Sequence, residues 1–543
     1  MNEQPKPSTG VTRRGFLAGV GAGAAGAITN PVDALAQRPD MLPPVDGRNG
    51  GRSDRFSRMF DLPPFAEASP AVQHALIELG APGGPLDALD PLEEGPIRLI
   101  TNPELSPRNQ DNPTSTAGVT FVGQFLDHDM TFDATSRLGV PTPPERSANR
   151  RSPSLDLDSV YGGGPDVSPQ LYDPTDRVKF KVETGGQFED LPRTSDGIAI
   201  IGDPRNDENL MIAGLQVAFL LFHNRVVDAL RERRDLADPA GGDLLAALSE
   251  TRDHHRQRRL FSEARRIVTW HYQWVVVNEF LPQIVGGDMV REILQRGRRY
   301  YRPRPGQPSI PVEFQGAAYR FGHSMVRPSY RANLAGDRGQ PFFGFVFDPS
   351  GEGQVDPVDL RGGARAPRRF IGWQTFFDFG GDQTTHVRPS KLIDTKISTP
   401  LFRLPLGAIA SGDAPTALPQ RNLLRHLTWS LPSGQEIARA MGIRPLSPDE
   451  LSELSAYGVG LESSTPLWYY VLKEAELAGG TRLAGVGARI VAEVFLGLIE
   501  LDDDSYMSER RRWQPILPSR TPGTFRMADL LTFAGVDPAS RKQ

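Results

Sequence analysis

Residues 117–133 read Ala-Gly-Val-Thr-Phe-Val-Gly-Gln-Phe-Leu-Asp-His-Asp-Met-Thr-Phe-Asp. Gln124 and His128 are four apart, so on a helix they share a face, with Asp127 and Asp129 flanking the histidine. An amide, an imidazole and two carboxylates thus fall within about one and a half turns. An imidazole is the side chain best suited to giving and taking protons near neutral pH. Val119, Val122, Phe125 and Leu126 are spaced for an apolar face of the same helix. Polar groups beside Phe and Leu need partners once buried. The competing reading is a helix end whose carboxylates are solvated.

Four other stretches carry residue types suited to chemistry. In Ser152-Pro153-Ser154-Leu155-Asp156-Leu157-Asp158, alternate residues bear oxygen, and an extended or looped backbone would turn them to one side. Hard oxygen ligands at that spacing suit calcium, and a solvated acidic turn would read the same way. Arg205 and Glu208 stand three apart at the entry to an apolar helix expected over 210–230. An arginine there is disfavoured by the helix dipole, which points to a specific role. His323, in Tyr-Arg-Phe-Gly-His-Ser-Met, reads alone as a satisfied core histidine. Gly322 before it would let a large group approach. Asn422 lies in Asn-Leu-Leu-Arg, further along. His74 reads as a surface residue and His223 as structural, while His254, His255 and His271 show no partner pattern.

The elements that must position these groups are mostly helical. Helical periodicity recurs at 70–80, 256–285, 446–456, 462–478 and 486–500, and strand-like alternation is scarce. Glycine (55) and proline (49) are plentiful in the 543 residues, which predicts a mainly α protein with long irregular connections. The net charge of −5 and pI of about 6.1 give no sign of a nucleic-acid or anionic-membrane partner. With no cysteine, disulfides, thiolate metal sites and cysteine nucleophiles are excluded. Residues 1–36 read as an export signal. Arg13-Arg14 sits in Thr-Arg-Arg-Gly-Phe-Leu, a mildly apolar Ala/Gly stretch follows, and Ala34-Leu35-Ala36 offers a cleavage site before Gln37. The Tat export machinery is the partner this implies. No later run is expected to reach the roughly 18 apolar residues of a membrane span. Residues 37–100, rich in proline, glycine and charge, read as an arm on a main domain at 101–540.

Taken together, in their order along the chain, these motifs resemble the animal-type haem peroxidases of the peroxidase–cyclooxygenase superfamily, and most nearly their bacterial, peroxinectin-like members. The resemblance covers roughly residues 100–500. It implies haem b between core helices and long irregular loops. By position it makes Gln124 and His128 the distal glutamine and histidine, Arg205 the distal arginine, and His323 the proximal iron ligand. Asn422 would hold the other ring nitrogen of His323, and Arg320 would be a haem-pocket arginine. Asp127 and Glu208 match the carboxylates esterified to haem. Asp129, Ser152, Ser154, Asp156 and Asp158 match a calcium site. The implied activity is reduction of hydrogen peroxide through an oxoferryl state that oxidises small donors such as halide or pseudohalide ions and phenols. Asn209 departs from the family at the methionine that forms a sulfonium link to haem in myeloperoxidase, so that link is excluded. A cyclooxygenase-type fatty-acid dioxygenase would place tyrosine three residues before the proximal histidine. Here that residue is Arg320, and Tyr319 would point elsewhere on a helix. A non-enzymatic adhesion or matrix protein with this fold is the third reading, which intact Gln124, His128, Arg205 and His323 argue against.

Overall fold

A computed structural model describes residues 54–133, 135–232, 253–304, 306–363, 365–409, 414–509 and 513–543. The export-signal reading and the start of the arm lie outside the described residues. The helices that matter to the site begin where the sequence supplies a cap. In α1 (Pro70–Leu79) the Ser69 side chain accepts from Val72 N and proline opens the first turn. Helix α2 (Ala117–Met130) carries the Gln124–Asp129 cluster. In α3 (Leu210–Arg231) the Asn209 side chain accepts from Ile212 N. Helix α4 (Asp253–Val275) runs through a π-helical segment, Val276–Phe280, into α5 (Leu281–Val285). Then come α6 (Leu418–Thr428), α7 (Leu467–Leu477), α8 (Gly485–Glu500) and α9 (Met527–Ala534).

The fold is mainly α. Among the described residues the strands form only two-stranded antiparallel pairs, including β1 (Asp111–Thr116) with β4 (Pro389–Lys391) and β2 (Ser329–Asp337) with β3 (Gln340–Phe345). The helical expectation at 446–456 is met by a kinked 3-10 run over Asp449–Tyr457.

Helix α3 joins the site to the core. Phe219 stacks on Phe125 of α2 at 4.7 Å, and meets Tyr272 of α4 edge-on at 5.7 Å. The start of α2 lies hard against Phe377. A Cβ at Gly118 would come within 2.4 Å of that ring, so only glycine allows the approach. By length and composition α3 is apolar enough to cross a membrane, which corrects the expectation that no later run would be. In this fold 78% of its apolar window is buried inside the protein. The described part of the arm packs on the main body: Phe56 meets Trp429 at 5.2 Å, and the backbone N–H groups of Met59 and Phe60 donate to the Glu313 carboxylate.

Candidate active site

Helix α2 is buried nearly all round, so its polar residues are not a solvated end. His128 and Asp129 are both buried. His128 Nδ1 lies 2.9 Å from Asn206 Oδ1, and Nε2 lies 4.0 Å from Glu208 Oε2. Burial, helped by Arg205, pushes the imidazole down to about 4. Burial lifts Glu208 to about 8 against the pull of Arg205. Near pH 7 both groups are therefore neutral, and their 4.0 Å approach is not an ion pair.

Residues 203–209 supply most of what faces α2. Asp203 starts a 3-10 turn, Pro204–Asp207, by accepting from Arg205 N at 2.9 Å. With about three residues per turn, Arg205 and Glu208 fall on one side. Asp207 turns away to a bidentate pair with Arg193 at 2.6 and 2.9 Å. Arg205 is gripped from behind: Asp203 takes Nε at 3.0 Å and Nη2 at 2.8 Å, and the carbonyls of His128 and Thr131 accept from Nη2 at 3.1 and 2.6 Å. Its Nη1 lies 3.9 Å from Asp127 Oδ2. Burial opposes the charge on Asp203, yet Arg205 and Arg151 hold its carboxyl below the usual range. Asn209, besides capping α3, donates from Nδ2 to Gln124 Oε1 at 3.1 Å, which leaves the Gln124 amide nitrogen as its remaining donor group.

His323 sits in a 3-10 run, Ala318–Met325. Trp468 Nε1 donates to Arg320 O at 3.1 Å, and Ser324 Oγ donates to Asp394 O at 2.7 Å, pinning the run on both sides of the histidine. Burial, then Arg320, lowers the imidazole to about 3, so it is a neutral ligand-type nitrogen. The side-chain amide of Asn422, on α6, lies 2.8 Å from Nδ1, with its oxygen turned to Arg320 Nη1 at 3.4 Å. A half-turn of that amide presents oxygen to an Nδ1–H at the cost of the 3.4 Å bond to Arg320. Tyr319 does not point elsewhere, contrary to the expectation from its spacing. It lines the same cavity as His323, and its hydroxyl donates to Gly123 O on α2 at 2.8 Å.

These groups share one cavity of about 630 Å3, lined by Gln124, Asp127, His128, Arg205, Glu208, Asn209, Tyr319, Arg320 and His323, within the usual size of a cofactor pocket. Gly322 lines it too, and a Cβ there would meet no protein atom within 4 Å, so the backbone beside His323 faces open space. Arg421 and Arg425 add positive charge to the lining beside Arg320. Arg425 is aimed by Asp133, which accepts from its Nη1 at 2.5 Å.

Behind His128, carboxylate oxygens of Asp129, Asp156 and Asp158 all lie within 4.8 Å of one another. Asp129 accepts from Leu157 N at 3.1 Å, Tyr272 OH at 3.0 Å and Ser159 Oγ at 3.0 Å. Burial and the two neighbouring aspartates push its carboxyl well above the usual range. Burial, reinforced by Asp156 and opposed by Arg151, lifts Asp158 to about 6. Ser152 joins the group, its Oγ donating to Asp156 Oδ1 at 2.8 Å and its N to Asp158 Oδ2 at 3.0 Å. The Ser154 hydroxyl donates to Asp502 at 2.8 Å. The loop is not a regular alternation: Leu157 takes a left-handed φ of 59°, which swings Asp158 back towards Asp156.

Sequence reasoning missed Asp203, Asn206, Gln216, Arg421 and Arg425 as parts of this site. Asp203 alone had a readable signal, since it stands two residues before Arg205. The other histidines behave as structural or surface groups. His223 bridges Tyr161 OH and Val178 O, and His271 contacts Ile267 O and Ile516 N, while His74, His254 and His255 are exposed.

Residues 135–342, which include Arg205, Glu208 and His323, match the family model for animal haem peroxidase. The chain is 28% identical over 366 residues to the chorion peroxidase of Drosophila melanogaster, covering 63% of this chain and 40% of that protein. It is 25% identical over 213 residues to the thyroid peroxidase of Rattus norvegicus, covering 35% of this chain and 20% of that one. It therefore spans well under half the length of these curated relatives. In fold it is similar to peroxidase A from Dictyostelium discoideum, with a TM-score of 0.56 at 15% identity over 89% of this chain and 93% of that one. Two neutral histidines on one cavity, a clamped arginine between them in sequence, and these likenesses converge: over residues 135–342 the chain is similar to the animal haem peroxidases.

Proposed function

We propose that the protein is a haem b peroxidase that reduces hydrogen peroxide and oxidises small donors. The carrying observation is that His128, buried, and His323, partly buried, both neutral, line one cavity with Arg205 and Gln124. The residues fit the cofactor: one imidazole has its far nitrogen held by Asn422, a glycine leaves room beside it, and three arginines offer contacts for carboxylates. When bound, haem supplies the redox chemistry. His323 would hold the iron, and Arg320, Arg421 and Arg425 would offer charge to the carboxylates of the group. His128 Nε2 takes a proton from peroxide and returns it to the departing oxygen. Arg205, locked by Asp203, offers positive charge where negative charge develops. The Gln124 amide nitrogen, set by Asn209, donates into the same space.

Donor oxidation tests the reading. Because Asn209 carries no thioether sulfur, no sulfonium link can form at that position. Iodide, bromide, thiocyanate and phenols should be oxidised with peroxide, and chloride poorly at neutral pH. Rapid hypochlorous acid formation, or no turnover with any of these donors, would count against it. A fatty-acid dioxygenase is the second reading, favoured by Tyr319 lining the cavity. Its hydroxyl is tied to Gly123 O, so a long-chain fatty acid should yield no oxygenated product.

Asp127 and Glu208 both line the cavity and are the carboxylates placed to form ester links to haem methyl groups. After a few turnovers with peroxide, haem should resist acid–organic extraction. An Asp127→Ala, Glu208→Ala double variant should release it. Freely extractable haem in the peroxide-treated parent would refute the links.

Asp129, Asp156 and Asp158, with Ser152 beside them, are a hard oxygen set suited to calcium, and Asp129 ties that site to the residue after His128. In the metal-free protein Asp158 moves from 3.8 to about 6, so the folded state binds more protons than the unfolded one across that window. The contribution of this group to stability is therefore present at low pH and is lost as pH rises through the window. A bound dication removes that loss. Calcium should raise Tm more at neutral pH than at about pH 4.5, where protons compete for the same oxygens. An equal shift at both, or no calcium in washed protein together with no effect of chelator, would contradict the site. Secretion by the Tat route belongs to the same proposal. It rests on Arg13-Arg14 and Ala34-Leu35-Ala36, and its measurable consequence is a mature N-terminus at Gln37.

A further inference from the structure

His128 can act as a base at Nε2 only if its one proton sits on Nδ1. Nothing in the cluster on α2 decides that. The 3-10 turn beside it does. Asn206 is fully buried, one residue after Arg205, and its Oδ1 lies 2.9 Å from His128 Nδ1. Its Nδ2 donates to Gln216 Oε1 at 2.8 Å, on α3, and Gln216 is fully buried as well. An amide cannot offer the same atom in both directions. With its nitrogen committed to Gln216, it presents oxygen to the imidazole, and an oxygen there requires Nδ1–H.

Asn206 lies in the 3-10 turn, and Asn209, in extended backbone, caps α3; both side chains reach α2. They meet His128 and Gln124, which are four apart on that helix and share its face. A buried amide costs desolvation unless its bonds are made, and both the oxygen and the nitrogen of Asn206 are partnered.

We infer that Asn206, oriented by Gln216, is a positioning residue that fixes His128 in the Nδ1–H tautomer and leaves the Nε2 lone pair facing the cavity. This rests on His128 being the proton-transfer residue. Turned by half a revolution, the two amides would present N–H to Nδ1 and force the proton onto Nε2, where no base could act. The two directions are therefore distinguishable by where the proton is.

The full-length haem protein, labelled with 15N in histidine and held in its diamagnetic ferrous carbon monoxide form, reports this directly by NMR. The His128 signals are identified by their loss in His128→Ala. The proton is expected on Nδ1, and a proton on Nε2 overturns the inference. Asn206→Leu removes the acceptor and should slow the reaction with peroxide at least about tenfold, with haem ligation by His323 unchanged. Asn206→Asp keeps an acceptor and should recover most of that loss and retain Nδ1–H. An Asn206→Leu protein that reacts at the parent rate overturns the inference. Should that variant fail to fold, the tautomer in the parent and in Asn206→Asp decides alone. If His128→Ala reacts at the parent rate, the proton-transfer reading of His128 has failed. If His128→Ala is slow while Asn206→Leu is not, only the positioning role has failed.

Discussion

His128→Ala should keep its haem and slow the reaction with peroxide by about 10²–10⁴-fold, the usual worth of a positioned acid–base group. The argument is geometric first. His128 is buried on α2, its Nδ1 is occupied by Asn206, and Nε2 is the nitrogen nearer Glu208. Electrostatics then keeps it in the right state, because burial and Arg205 lower the imidazole to about 4. A group with a depressed basic pKa is a competent base above that value and is lost as pH falls through it. The parent rate should thus hold across neutral pH and decline towards about pH 4, as the ring protonates, and the variant should lack that decline. Stopped-flow mixing with peroxide checks both. A variant as fast as the parent, or with the same acid limb, contradicts the assignment.

His323→Ala should fail differently. Its ring lines the cavity from the 318–325 run, with Asn422 at one nitrogen. Removing it takes away the iron ligand and leaves the Asn422 amide without its imidazole partner, so haem should be lost or held through a wrong ligand. The folded chain should survive, since Trp468 and Asp394 hold the backbone on either side. Haem content by pyridine haemochrome and the position of the main absorption band check this. Parent-like haem content with an unchanged spectrum would remove His323 from the role.

Much of this was legible in the residues, for a physical reason. Gln124, Asp127 and His128 lie on one helix, and a four-residue spacing fixes a shared face whatever else the chain does. Arg205 and Glu208, three apart, fall together in a 3-10 turn as they would in an α-helix. What was not legible depends on contacts far apart in sequence or on the kind of turn. The bond of Ser154 to Asp502 spans 348 residues, so an alternating loop pattern could not foresee it. Tyr319 was read as pointing away from His323, yet residues four apart on a helix share a face, and it lines the same cavity. The grip of Asp203 on Arg205 could have been suspected from their two-residue spacing. The pairings Asn206–His128 and Asn209–Gln124 could not, because they need both the turn and its docking on α2. Helix α3 shows the limit of composition: apolar enough for a membrane, it is the core helix that closes the site.

The central claim is that one cavity holds a haem between His323 and His128 and turns it on peroxide. The absorption spectrum of the haem-loaded protein, taken with and without one equivalent of hydrogen peroxide, tests it most directly. The account predicts a histidine-ligated haem spectrum that changes within the mixing time and returns when iodide or a phenol is added. A chain that takes up no haem, or a bound haem whose spectrum peroxide leaves unchanged, would contradict it.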